Sequence, residues 1–185
     1  KKMRVLIADN HTLFREGFRS QLQRFDALGE LQEVTNYEAL TPLSARNIPF
    51  NLVFIDRDLL GKEWKENLRS VFTMFPTARI VMLSESEEPK DILDTFDIGV
   101  TGYITKLSPD SLTISALRLI MDGNAYVPPA VLKGMQKPER HTGEGKILSH
   151  TLPNGKNLTF RQSEVLQHLS NGLSNKQIAY EMKVS

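Results

Sequence analysis

A doubly wound α/β sheet followed by a small all-α segment is the fold class that this 185-residue sequence predicts. Three observations point to it. Short apolar runs of strand length recur along the front of the chain. Stretches with helical apolar spacing separate them. The final segment instead carries two short, capped helical patterns.

The strands read in order as Met3–Ala8, a weaker one at Leu31–Val34, then Leu52–Ile55, Arg79–Leu83 and Gly102–Ile104. The first helix spans His11–Arg24, with Leu13, Phe14, Phe18 and Leu22 at helical spacing. A later helix, Trp64–Phe75, stops before Pro76, and Pro89–Ile98 stops at Gly99. Ser108 reads as an N-cap with Pro109 at the first helical position, and Gly123 closes that helix. Pro128 and Pro129 end the sheet-forming part, so it covers residues 1–128. Residues 129–157, rich in Gly, Lys, His and Pro, read as a linker with one short helix at its start. In 158–185, Thr159 with Gln162 and Ser174 with Gln177 form two capping boxes. Val165, Leu166 and Leu169 follow the first box, and Ile178, Ala179 and Met182 follow the second, with Gly172 between as terminator. The pair reads as a helix-turn-helix or a plain helical hairpin.

Composition narrows the function. The chain has no cysteine, which excludes disulfides, thiolate zinc sites and a cysteine nucleophile in it and fits a reducing cytoplasm. No apolar run approaches the roughly 18 residues of a membrane helix. Residues 1–132 carry 15 Lys and Arg against 18 Asp and Glu, a net of −3, and the remaining residues carry 8 against 4, a net of +4. An acidic front and a basic back fit two tasks, the second near nucleic acid.

The chemistry gathers at strand ends. Burying an ion costs several kcal/mol unless it is compensated, yet the apolar run at 52–55 ends in Asp56, with Asp58 two residues on. Parallel α/β sheets bind ligands beyond the carboxyl ends of their strands, where the strand order reverses. In the order 2-1-3-4-5, taken over from known sheets of this class, the first and third strands are neighbours at that point. Asp9-Asn10 and Asp56 then face one another, and a hard divalent cation such as Mg²⁺ relieves their repulsion. Ser84 and Lys106, at the ends of the fourth and fifth strands, bring a hydroxyl and an ammonium to the same rim. Carboxylate, cation, hydroxyl and ammonium together suit phosphoryl transfer to Asp56, with the backbone carbonyl of Asp58 as a further metal ligand. Taken singly, Asp56 is a turn former, Ser84 a cap, Lys106 a surface charge and Tyr103 a half-buried strand aromatic; their joint occurrence carries the inference.

These residues resemble a known family. "RVLIADNHTLFREGF", "LVFIDRDLLG", "ARIVMLSES", "GVTGYITKLSPDSL" and "DGNAYVPPAVL" are similar, in order, to the receiver domain of bacterial response regulators of the NarL/FixJ type. "LTFRQSEVLQHLSNGLSNKQIAYEMKVS" is similar to the first two helices of a LuxR-type helix-turn-helix. The resemblance implies a flavodoxin-like (βα)5 receiver and a DNA-binding transcriptional regulator. It also implies a sensor histidine kinase that phosphorylates Asp56 with Mg²⁺ and the receiver's own assistance, Ser84 and Tyr103 as switch residues, and homodimer formation. In that family the start of the second helix touches phosphate, so Ser174, Asn175 and Lys176 are the expected DNA-backbone contacts.

Two departures bear on this. Asn10 stands where the family has a second acid; its amide oxygen can ligate Mg²⁺ but brings no charge, so weaker Mg²⁺ binding is expected. The loop "DRDLLG" also lacks the family's usual Met-Pro. An atypical receiver acting independently of phosphorylation, through dimerisation or protein contacts, is therefore the alternative. The third, groove-entering helix of the family does not follow Ser185, so an incomplete DNA-binding domain with weak, unspecific affinity is expected. An Mg²⁺-dependent phosphatase of the haloacid-dehalogenase type shares the "DRD" motif but has its nucleophile strand first. The four histidines show no metal-binding spacing.

Overall fold

The computed structural model describes residues 2–133. Five strands, β1 (Met3–Ala8), β2 (Leu28–Val34), β3 (Leu52–Asp56), β4 (Arg79–Ser84) and β5 (Gly102–Thr105), form one parallel sheet of order β2-β1-β3-β4-β5. The helices are α1 (Thr12–Leu22), α2 (Leu40–Ser44), α3 (Trp64–Met74), α4 (Pro89–Ile98), α5 (Asp110–Met121) and α6 (Ala130–Lys133). The predicted order 2-1-3-4-5 is the order observed.

The two-residue period of the strands divides the core. Val5 and Ile7 of β1 and Leu52 and Phe54 of β3 point to the face covered by Phe18 and Leu22 of α1 and Leu117 and Ile120 of α5. Leu6 and Ala8, with Val53 and Ile55, point to the other face, where Leu43 of α2, Leu68 and Val71 of α3, and Ile92 of α4 pack. All five residues of β3 are buried, because helices cover both faces of the central strand. Such a strand reads as a continuous apolar run, which is how Leu52–Ile55 reads.

Differences from expectation lie at edges and ends. β2 begins at Leu28, before the predicted Leu31. Its register against β1 shifts between Met3 and Arg4, which pair with Leu28 and Glu30, so Gly29 is the extra residue. An edge strand needs only its ladder, and its half-exposed residues give a weak apolar signal. α5 begins at Asp110 with Pro109 as N-cap, not at Pro109 with Ser108 as cap. The Pro109 carbonyl accepts from the amides of Leu112 and Thr113, while the Ser108 hydroxyl pairs with that of Thr105. α4 ends at Gly99 as predicted, with a φ of 121° that side-chain-bearing residues rarely adopt. α6 lies beyond the residue-128 boundary, and Val131 enters the same core cluster as Leu93 and Val100.

Among the described residues, no helix is long and apolar enough to cross a membrane. The expected helix-turn-helix, including Ser174, Asn175 and Lys176, lies outside the described residues.

Candidate functional site

The backbone brings four strand ends to one rim. Asp9 follows β1 and donates its amide to the Val34 carbonyl of β2 at 3.1 Å. Asp56 is the last residue of β3 and pairs with Leu83. Ser84 closes β4, and its carbonyl accepts the Lys106 amide at 2.8 Å, just past β5. Parallel pairing thus aligns four chain positions that lie far apart in sequence.

The side chains converge. The Lys106 ammonium lies 2.7 Å from Asp9 Oδ2 and 2.9 Å from Asp56 Oδ1. Both carboxylates are almost wholly buried, and the Lys106 side chain is 4% exposed. The Phe14 ring covers this ammonium, with its centroid 4.8 Å from Nζ. Burial pushes the Asp56 carboxyl above its ordinary range; the Lys106 hydrogen bond and charge oppose this, and the charges of Asp9 and Asp58 add to it.

Asp56 Oδ2 is buried without a hydrogen-bond partner. A buried carboxylate oxygen left over beside a second carboxylate fits a cation-binding pocket. Of the other predicted ligands, Asn10 is exposed. Asp58 opens a 3-10 turn (Asp58–Leu60), and its carbonyl accepts the Gly61 amide at 3.1 Å. The second lone pair of that carbonyl is available to a metal.

Ser84 and Tyr103 belong to one network above β4. Ser84 Oγ accepts the Ser86 amide at 3.1 Å, and Ser86 Oγ donates to Asp91 of α4 at 2.8 Å. The fully buried Tyr103 donates its hydroxyl to the Ser86 carbonyl at 2.8 Å. Burial raises the Tyr103 hydroxyl pKa above its ordinary value, which keeps this donor protonated.

Two residues of the site went unread in the sequence. His11 places Nδ1 3.3 Å from Asp9 Oδ1 and 3.4 Å from Asp56 Oδ2. It groups with the two carboxylates through space, not through a local ligand spacing. Arg15, buried, donates to the Asp9 carbonyl at 2.8 Å and to Glu33 of β2 at 2.9 Å, and so braces the end of β1. Their one sequence signal is position: both follow Asp9 within two helical turns.

The chain matches the family model of the response regulator receiver domain over residues 5–118, and that of the bacterial regulatory proteins of the luxR family over residues 156–185. The glycerol metabolism activator of Pseudomonas putida is 28% identical over 187 aligned residues, which cover 98% of this chain and 82% of that protein. The nitrate/nitrite response regulator protein NarP of Escherichia coli (strain K12) is likewise 28% identical, across 98% of this chain and 80% of that protein. In fold, the chain is similar to the isolated REC domain of RcsB from Salmonella enterica serovar Typhimurium, solved in the presence of the phosphomimetic BeF3−. The TM-score is 0.63 at 20% identity, over 72% of this chain and 98% of that one.

Proposed function

This chain belongs to the response regulator receiver family, with a luxR-family segment behind the receiver, and from that premise we propose that phosphorylation of Asp56 controls its action on DNA. It is a two-component response regulator of the kind that regulates transcription. A sensor histidine kinase supplies the phosphoryl group. An oxygen of the Asp56 carboxylate attacks the phosphorus of a phosphohistidine, the P–N bond breaks, its electron pair returns to the imidazole, and Asp56 carries an acyl phosphate. The receiver assists this transfer but is a phosphoacceptor, not a turnover enzyme.

One observation carries the reading: an ammonium held between two buried carboxylates at the carboxyl edge of a parallel sheet. Lys106 neutralises the incoming phosphoryl oxygens. Ser84 Oγ accepts from the Ser86 amide, and its hydroxyl, at the same rim, is the donor to a phosphoryl oxygen. That contact draws on the Ser86 loop, to which the Tyr103 hydroxyl is bonded, and so couples the rim to the α4 side of the sheet. Asp9, Asn10, Asp56 and the Asp58 carbonyl are the ligands for Mg²⁺, which when bound offsets the charge on the phosphoryl oxygens.

The division into a receiver at 1–128, a linker at 129–157 and a DNA-binding segment at 158–185 follows from the same reading. Ser174, Asn175 and Lys176 then contact DNA phosphates, the active form is a homodimer, and the compartment is the cytoplasm. The test is titration of wild type and Asp56→Asn with beryllofluoride. Wild type is expected to dimerise and to bind DNA more tightly, and the variant to remain unchanged. Equal dimerisation and DNA affinity with and without the phosphate mimic refutes the reading. That result favours a receiver acting independently of phosphorylation, which the uncharged, exposed Asn10 supports.

A further inference from the structure

We propose that His11 is a metal ligand of the rim pocket, so that the site takes a borderline first-row divalent cation through a mixed nitrogen and oxygen donor set. The inference rests on the reading of Asp9 and Asp56 as a cation-binding pair, and it identifies the cation class that this pair accepts.

The geometry makes the case through Nδ1 of His11. That atom lies 3.1 Å from the Lys106 ammonium, 3.3 Å from Asp9 Oδ1 and 3.4 Å from Asp56 Oδ2. Nδ1 and the two carboxylate oxygens lie within 4.8 Å of one another, a spacing that a divalent cation among them spans. Asp56 Oδ2, buried and without a hydrogen bond, is a sign of a missing positive partner.

The spacing fits. Metal bonds of about 2.1 Å put adjacent ligand atoms about 3 Å apart, near the two His11 distances. The His11 amide donates to Asp9 Oδ1 at 2.6 Å, which holds the residue over the pocket. The ring is 45% exposed on its outer side, leaving room for coordinated water.

The chemistry then sets the preference. Mg²⁺ wants oxygen ligands and negative charge, and Asn10 supplies no charge. Imidazole suits borderline cations and favours them over Mg²⁺.

The experiment is calorimetric titration of the chain with Co²⁺ and with Mg²⁺, for wild type, His11→Gln and Asp56→Asn. His11→Gln is expected to weaken Co²⁺ binding by at least about tenfold and Mg²⁺ binding by much less. Asp56→Asn is expected to weaken both. Equal Co²⁺ affinity in wild type and His11→Gln overturns the proposal, as does Co²⁺ binding that survives Asp56→Asn. A readout needing no variant is the ¹⁵N resonance of His11 Nδ1 in wild type, which Co²⁺ is expected to shift or broaden away; an unmoved resonance at saturation also overturns the proposal. Phosphoryl uptake in Mg²⁺ separates the two readings. Uptake without any effect of His11 on Co²⁺ sinks this inference alone, and His11-dependent Co²⁺ binding without uptake sinks the phosphorylation reading alone.

Discussion

Asp56 is an ion held where burial favours a neutral group, and its shift has a definite consequence for stability. Its folded-state pKa lies above the unfolded value of 3.8, so the folded protein binds the proton more tightly than the unfolded chain does. The stability tied to that proton is present below 3.8 and is lost as pH rises through the folded value. Each tenfold change in the ionisation constant corresponds to about 1.4 kcal/mol. Asp56→Asn is therefore expected to raise the metal-free Tm at pH 7, with a gain that shrinks as pH falls toward 3.8. Lys106→Met removes the opposing ammonium and is expected to steepen the wild-type loss of Tm with pH. Both follow from thermal melts across pH 3.5 to 7.5, a range chosen to bracket that window. The carboxylates and Lys106 were legible in the sequence because each ends an apolar run. His11 was not, because of its partners only Asp9 is near in sequence, and Asp56 and Lys106 come from neighbouring strands.

At the scale of elements, β5 packs closely on α5 at Gly102, where a side chain needs its neighbours to give by a few tenths of an ångström. A Cβ there would lie 3.2 Å from Ile120 Cδ1 and 3.4 Å from Val81 Cγ1. Gly102→Ala is expected to cost about 1–3 kcal/mol in urea unfolding, and adding Ile120→Val to recover part of that cost. An Ala variant as stable as wild type would mean that the two elements separate easily. On the opposite face, Lys65 of α3 bonds Asp94 of α4 at 2.8 Å, and Lys90 approaches the same carboxylate at 3.4 Å. Burial would raise the Asp94 carboxyl, but these two ammonium groups hold it below its ordinary value. The pair stabilises the fold above pH 3.8 and is lost as pH falls through the lowered folded value. It lies near the surface, so Asp94→Asn is expected to cost less than about 1 kcal/mol at neutral pH, and less still in high salt.

For the whole described unit, one sheet joins two helical layers, so the layers are expected to melt together. Leu68 lies in the cluster with α3 and α4, and Leu117 lies in the cluster with α1 and α5. Each change to Ala is expected to cost about 2–5 kcal/mol, and the double variant to cost nearly the sum, because the sheet keeps the two sites out of contact. Trp64, the chain's single tryptophan, reports the transition by its fluorescence. Two separate transitions for the layers would contradict a shared sheet.

The five strands, the helices α1, α3, α4 and α5, the sheet class and the charged strand ends were legible in the sequence alone, whereas α2 was not and the strand order came from known sheets. Central strands buried on both faces must be apolar throughout, and charges at their ends then stand out. Only the tertiary structure decided the early start of β2, the Pro109 cap of α5 and the place of Val131 in the core. An edge strand, a turn and a short helix carry weak local patterns, and neighbours choose among their conformations. It also decided the meeting of Lys106 with Asp9 and Asp56, and of His11 with Asp56. Those contacts depend on which strands lie side by side, and local apolar periodicity does not encode strand order.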